Sequence, residues 1–289
     1  MASTPEIVRT VGGLRDRVAA WRRDGERVGL VPTMGALHDG HLALVRRSLD
    51  DCDRTVVSIF VNPTQFAPHE DFATYPRDEA RDLAAIGALG TDVAYMPDAG
   101  EMYADGFTTT VSVADPSNGL CGAVRPHFFQ GVATVVSKLL LQCMPDRAYF
   151  GEKDYQQLLV IKRLVRDLNI PAEIVGVSTV REHDGLALSS RNAYLSDADR
   201  KTAPLLNAIM RQVAEKVAGG AAVAEAETWG RAQLQENGFD PVDYLEVRDG
   251  ETLAPIMDTL APGHPARVFA AAYLGKTRLI DNIPVARIL

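Results

Sequence analysis

Thr55-Val-Val-Ser-Ile-Phe-Val61 is apolar and rich in β-branched residues, with Ser58 its only polar member apart from the leading Thr55. A strand with one wet face alternates apolar and polar residues, whereas a strand covered on both faces does not. The stretch therefore reads as a central strand of a parallel sheet, and parallel neighbours need crossover helices. Reading outward, residues 27–33 form a second apolar run, ending in Pro32-Thr33. Between the two, residues 38–49 carry apolar side chains at 42, 44, 45 and 49, the spacing of a helix. Further along, the pattern predicts a helix at 77–89, a strand at 92–96, a helix at 129–143, a strand at 147–150, a helix at 155–168 and a strand at 173–177. Such alternation implies an α/β fold with a doubly wound parallel sheet. Ligands of these sheets sit outside the carboxyl ends of the strands. Beyond residue 179 the character changes. Two helices are expected at 197–217 and 221–237 around Gly219-Gly220, then strands at 242–248, 267–274 and 277–283. The expected division is a larger α/β domain at 1–178 and a smaller α+β domain at 179–289.

The chain has 289 residues, 46% of them apolar and 24% charged, the balance of a folded domain and not of a disordered chain. Its 30 Lys and Arg against 38 Asp and Glu give a formal charge of −8. That sign opposes non-specific binding to nucleic acid and to anionic membranes, so neither is expected as a partner. An anionic ligand then requires local positive charge in its own site. Cys52, Cys121 and Cys143 show no metal-ligand spacing and are expected to be reduced, buried thiols. The first six residues lack a basic region followed by an apolar stretch, and no apolar run approaches the ~18–20 residues of a membrane span. The expected compartment is the cytoplasm.

Four segments carry chemistry. The first is Pro32-Thr-Met34-Gly35-Ala36-Leu37-His38-Asp39-Gly40-His41, which leaves a predicted strand and enters a predicted helix. Gly35 permits a tight turn, and a helix start offers N–H groups and a positive dipole end to phosphate. His38 and His41, three apart, share a face. They read as donors to phosphate oxygens, as polar residues at a helix start, or as half of a metal site whose remaining ligands would come from the scattered His69, His127, His183 and His264. The second segment is Gly151-Glu152-Lys153-Asp154-Tyr-Gln-Gln157, at another strand end: either an exposed acidic turn, or a site where Lys153 meets phosphate and Asp154 meets Mg²⁺. The third, Val180 to Asn192, contains Leu188-Ser189-Ser190-Arg191. Two hydroxyls and a guanidinium suit phosphate, and equally suit a capping loop. The fourth is Phe60-Val-Asn62-Pro-Thr-Gln65-Phe66, whose Asn62 and Gln65 are bidentate hydrogen bonders at the ligand-facing edge. No G-x-x-x-x-G-K-[ST] phosphate loop occurs.

In this order the four segments resemble the pantothenate synthetase family, in the nucleotidyltransferase superfamily that includes class I aminoacyl-tRNA synthetases. M-G-A-L-H-D-G-H is similar to the H-x-G-H nucleotide motif. A-L-S-S-R-N sits where the superfamily has a mobile phosphate-binding loop, and the resemblance extends over residues 25–285, including D-Y-L-E-V-R at 243–248 and T-R-L-I-D-N-I at 277–283. It implies a Rossmann-like domain with a smaller C-terminal lid, a homodimer, and ATP and Mg²⁺ as the nucleotide pair. The implied reaction is activation of pantoate as an acyl-adenylate and its transfer to β-alanine. By the resemblance, Met34 to His41, Gly151 to Asp154, Val180 and Leu188 to Arg191 line the ATP site. His41 is the implied acid, and His38, Lys153, Ser189, Ser190 and Arg191 act on the phosphates. Gln65 touches pantoate and β-alanine, Gln157 holds pantoate, and Asp154 lies near Mg²⁺. A cytidylyltransferase-type enzyme would share H-x-G-H without needing Gln65 and Gln157. Two departures stand out. Leu188 replaces the usual Met, a volume-conserving change. In Arg125-Pro-His127-Phe128-Phe129-Gln-Gly131, the family's His is displaced by one position and Phe128 stands in its place.

Overall fold

The structure, a computed structural model, describes residues 4–67 and 70–285, so His69 lies outside the described residues. The chain divides into two compact units. The first comprises Met1–Ser117, Arg125–Glu152 and Gln157–Ser178, and the second Asn118–Val124, Lys153–Gln156 and Thr179–Leu289.

In chain order the elements are β1 (Glu6–Val8), α1 (Val11–Arg23), β2 (Val28–Thr33), α2 (Asp39–Asp51), β3 (Arg54–Ile59), α3 (Glu79–Gly87), β4 (Val93–Tyr95), α4 (Ala99–Met102) and α5 (Leu120–Val124). Then come α6 (Phe128–Cys143), β5 (Arg147–Gly151), α7 (Tyr155–Asp167), β6 (Glu173–Val177), α8 (Asp197–Thr202), α9 (Leu205–Ala218) and α10 (Val223–Glu236). Strands β7 (Val242–Asp249), β8 (Ala266–Leu274) and β9 (Thr277–Pro284) follow.

The first unit is built on a six-stranded sheet in the order β1-β4-β3-β2-β5-β6, parallel at every pairing. Its central strands are buried on both faces, as the β-branched runs require. Val31, Val57, Ala94 and Tyr149 face a core completed by Leu44 and Val45 of α2 and Ile86 of α3. Leu30, Val56, Val93 and Ala148, one position away, are buried on the opposite face. Each large side chain of this kind withdrawn from water contributes roughly 1.5–3 kcal/mol before entropy is counted. From β2 the chain steps through β3 to β4 on one side, while β5 and β6 lie on the other. The strand order therefore reverses at β2 and β5, and the loops after these strands open at the switch point.

The second unit carries a three-stranded antiparallel sheet, β7-β8-β9. Leu206, Ile209, Met210 and Val213 of α9 and Leu234 of α10 pack with Leu245, Val268 and Leu279 from its strands. The expected single helix at 197–217 is two helices, broken at Ala203 and Pro204. A proline lacks an N–H and its ring crowds the preceding turn, so the break falls where residue 204 dictates. The three cysteines are free and buried. Among the described residues no helix is long and apolar enough to cross a membrane.

Candidate active site

The loop after β2 turns with two consecutive left-handed residues, Gly35 at φ +80° and Ala36 at φ +51°. A Cβ on residue 35 would lie 2.9 Å from Asp82 Oδ2, so glycine is required by space as well as by φ. Asp82, on α3, is 2% exposed. Its Oδ2 accepts the Ala36 N–H at 2.9 Å and its Oδ1 accepts the Leu37 N–H at 2.8 Å. Burial pushes this carboxyl above its usual range, opposed by those two backbone donors. Thr33 Oγ1 completes the frame, donating to Ser58 O at 2.7 Å and accepting from Gly35 N at 3.3 Å.

The loop delivers the chain to α2, whose N-cap is His38. His38 Nδ1 accepts the Gly40 N–H at 3.1 Å, and His41 Nδ1 accepts the His38 N–H at 3.4 Å. The two imidazoles thus form a capping box, the role usually filled by Ser or Thr with Glu. Because each Nδ1 is an acceptor, each neutral ring carries its proton on Nε2. The ring centroids are 4.1 Å apart with a 40° tilt. Met34 meets Gln65, whose Nε2 lies 3.0 Å from Met34 Sδ.

Asn62, just past the carboxyl end of β3, is 1% exposed and bonded at both ends of its amide. Its Oδ1 accepts from Thr64 Oγ1 at 3.0 Å and from Tyr103 OH at 2.8 Å. Its Nδ2 donates to Gln65 Oε1 at 3.0 Å and to Gly131 O at 3.3 Å. Asn62 thereby orients the Gln65 amide. Arg125 holds the same loop from behind. It donates to both Glu70 oxygens at 2.6 Å and to Gln65 O at 3.2 Å, and its guanidinium lies 3.9 Å from the centre of the Phe128 ring. Phe128 thus props Arg125 by a cation–π contact. His127, exposed at the start of α6, makes no capping bond. Gly151 ends β5, Glu152 begins a 3₁₀ turn, and Gln157 stands half-buried on α7.

The second unit holds the remaining candidates. Lys153 Nζ lies 3.8 Å from Asp154 Oδ2. Val180 and Leu188 pair as limbs of a hairpin, with Leu188 N donating to Val180 O at 3.0 Å and a bridge between Arg181 and Ala187. The hairpin leads directly into Ser189, whose Oγ accepts the Arg191 N–H at 3.3 Å and caps the 3₁₀ segment Ser190–Tyr194. Asn192 Nδ2 anchors that segment to Ala187 O at 3.1 Å. Gln156, next to Gln157 in sequence, is structural: it accepts from Cys121 N at 3.1 Å and donates to Gly119 O at 3.2 Å. Among the described residues no group of three or more His, Cys, Asp or Glu side chains forms a metal site, so His38 and His41 are not half of one there.

The sequence model of pantoate–β-alanine ligase matches residues 6–284. The chain belongs to the pantoate–β-alanine ligase family. The pantothenate synthetase of Rhodospirillum rubrum is 58% identical over 279 residues, covering 96% of this chain and 98% of that one. The crystal structure of pantothenate synthetase from Thermus thermophilus superposes with a TM-score of 0.88 at 50% identity, covering 97% of this chain and 99% of that one. The Francisella tularensis pantoate–β-alanine ligase, complexed with beta-gamma ATP and β-alanine, superposes with a TM-score of 0.81 at 34% identity, covering 97% of each chain. As a pantoate–β-alanine ligase the chain is an AMP-forming enzyme that makes a carbon–nitrogen amide bond. Asp82, Gly131 and the Arg125–Glu70 pair escaped the sequence reading of this ligase. Arg125 and Gly131 had a signal, as members of the R-P-x-x-F-x-G segment; Asp82 and Glu70 had none.

Proposed function

We propose that the ligase condenses (R)-pantoate with β-alanine through a pantoyl-adenylate. In the first step a pantoate carboxylate oxygen attacks the α-phosphorus of ATP and pyrophosphate leaves. In the second the β-alanine amine attacks the acyl carbon, the amide forms, and AMP leaves with the carboxylate oxygen it acquired. The observation that carries this reading is the paired-imidazole start of α2 at the sheet's switch point. Two Nε2 donors and a helix N-terminus suit oxygens that gain charge as pyrophosphate departs. His41 acts as the acid, with His38 beside it. Met34, Gly35, Ala36, Leu37, Asp39, Gly40, Gly151, Glu152, Val180 and Leu188 complete the nucleotide site. Lys153, Ser189, Ser190 and Arg191 supply the positive charge and donors that a chain of net charge −8 must concentrate locally. Gln65 contacts both acyl and amine substrates, and Gln157 holds the pantoate hydroxyls. The Francisella complex with beta-gamma ATP and β-alanine supports the substrate pair.

Mg²⁺ fits as a companion of the nucleotide. Asp154 offers one carboxylate, 42% exposed, beside Lys153, and Mg²⁺ on phosphates keeps several waters and needs only one or two protein ligands. When bound it neutralises phosphate charge. Residues 1–178 serve as the nucleotide- and pantoate-binding domain, residues 179–289 act as a lid that excludes water from the mixed anhydride, and the enzyme works as a cytoplasmic homodimer. Isotope exchange tests the reaction. With pantoate, ATP and Mg²⁺ but no β-alanine, labelled pyrophosphate should enter ATP, and omitting pantoate should abolish the exchange. Stoichiometric ADP, or no pantoate-dependent exchange, would overturn the adenylate route.

A further inference from the structure

Residues 277–283 lie on β9, an outer strand of the second unit's sheet. Two neighbours on it, Asp281 and Asn282, are 4% and 3% exposed. The Asp281 carboxylate accepts from Arg181 Nη1 at 2.6 Å, Arg181 Nη2 at 2.9 Å, Asn207 Nδ2 at 3.2 Å and Asn282 N at 2.7 Å. Four donors fill the lone-pair sites of a carboxylate. The same guanidinium donates to Gly185 O at 3.1 Å, in the turn of the hairpin, and to Asn282 O at 3.4 Å. The Arg181 side chain thus pins the hairpin's first limb to β9 and ties the turn to that limb. Its second limb continues without a break into Ser189, Ser190 and Arg191. Asn282 reaches a different segment: its Nδ2 donates to Lys153 O at 2.8 Å while its Oδ1 accepts from Arg267 Nε at 2.9 Å. Both ends of the amide are engaged, so its orientation is fixed.

We propose that Asp281 and Asn282 are positioning residues of the ligase, which hold the Arg181 hairpin and the Lys153 backbone in one register and so set the spacing of the groups that act on phosphate. Neither residue touches substrate; each acts through another. The proposal rests on the nucleotide-site reading of Lys153 and of Ser189, Ser190 and Arg191. Because Asp281 is fully paired with Arg181, it does not drain positive charge from that site. Register matters here because a displacement of about 1 Å in a charge-stabilising group costs on the order of 10²-fold in rate.

The test uses the full chain, with Asn282→Ala and Asp281→Asn as probes and Asp243→Asn as the control. Asp243 pairs with Arg278 at 2.7 Å across the same sheet, and neither residue is among the partners of Asp281 or Asn282 described above. The readouts are pantoate-dependent pyrophosphate exchange, kcat, the KM of each substrate and the melting temperature. Asn282→Ala and Asp281→Asn should lower exchange and kcat by roughly 10- to 100-fold. The KM values for pantoate and β-alanine, whose contacts lie on the first unit, should stay within about twofold. The control should lose melting temperature but keep kcat. Wild-type kcat in both probes, or an equal loss of kcat in the control, would overturn the proposal. Should Asp281→Asn fail to fold, Asn282→Ala decides alone. Wild-type protein lacking exchange altogether would strike the underlying adenylate reading, a result distinct from active wild type with unaffected variants.

Discussion

Gly131 offers a sharp test of how Gln65 is held. It lies in the first half of α6, with its face against the loop 62–65. A Cβ there would strike the Thr64 carbonyl oxygen and would lie 2.7 Å from Thr64 C and 2.8 Å from Gln65 N. All three neighbours are backbone, so no side-chain rotation relieves the clash. Restoring an ordinary contact of 3.4 Å with the carbonyl oxygen, the nearest of the three, requires the loop to retreat by about 1 Å. Gly131→Ala would gain up to ~1 kcal/mol of helix propensity. Overpacking of this kind costs about 1–3 kcal/mol, so the net change in stability should be small or modestly unfavourable. The kinetic effect should be larger. Gln65 would move with the loop, and its bonds from Asn62 and to Met34 would stretch. A shift of that size predicts a loss of roughly 10- to 100-fold in kcat/KM for pantoate and β-alanine. The dissociation constant of ATP alone, by calorimetry, should change little. Steady-state kinetics with each substrate varied in turn separates the two. Unchanged pantoate and β-alanine kinetics in a folded Gly131→Ala protein would refute the claim that backbone contact at residue 131 sets Gln65.

Three further outcomes are expected. His41→Ala should lower pyrophosphate exchange by about 10²–10³-fold while costing ~1 kcal/mol or less as a capping loss; near-normal exchange would remove His41 from the chemistry. Phe128→His keeps a ring over Arg125, so kcat should stay within about tenfold, since the cation–π contact is worth ~0.5–2 kcal/mol; a gain of several orders of magnitude would mean that an imidazole is needed there. Asp82→Asn leaves one acceptor for two N–H donors and should cost about 1–3 kcal/mol in urea unfolding at neutral pH. Burial raises the Asp82 pKa above its unfolded value. Its stability contribution is therefore fullest below about pH 4 and is lost as pH climbs through the raised pKa, a slope the Asn variant lacks. The stability gap between the two proteins should narrow as pH rises to 7, and a widening gap would contradict that sign.

The sheet was legible because its strands are short, β-branched and covered on both faces, which leaves one reading of runs such as 55–61. Most element ends differ from expectation by one or two residues, apart from the helix break that Pro204 imposes. β1 and α1 went unread because a three-residue strand has no period, and Gly12-Gly13 disguises a helix start. At the site, residues 34–41 stood out because glycine and two histidines occur where a strand must turn into a helix. The supporting residues did not stand out because their partners are distant backbone atoms. Asp82 bonds to chain 45 and 46 residues away, and within Glu-Ala-Arg-Asp on a helix it looks like any solvated carboxylate. Asn62 sits near Gln65 and shares its amide chemistry, so composition alone could not tell the buried amide from the half-buried one. Only burial separates them.

The imidazole cap on α2 sets a limit for anyone trying to harden this enzyme against heat. By the ordinary ranking of N-cap residues, Ser, Asp or Asn at position 38 would hold the helix start better than His, and a search for stabilising substitutions would favour them. Those side chains are short, so a polar group that bonds the helix start reaches no farther than the cap itself. Imidazole has two nitrogens on opposite edges of a rigid ring, so His38 can accept the Gly40 N–H on one side and still present a donor on the other. Weak capping is thus the toll for a side chain that is anchored and outward-looking at once, and a more heat-resistant helix start would be a blind one.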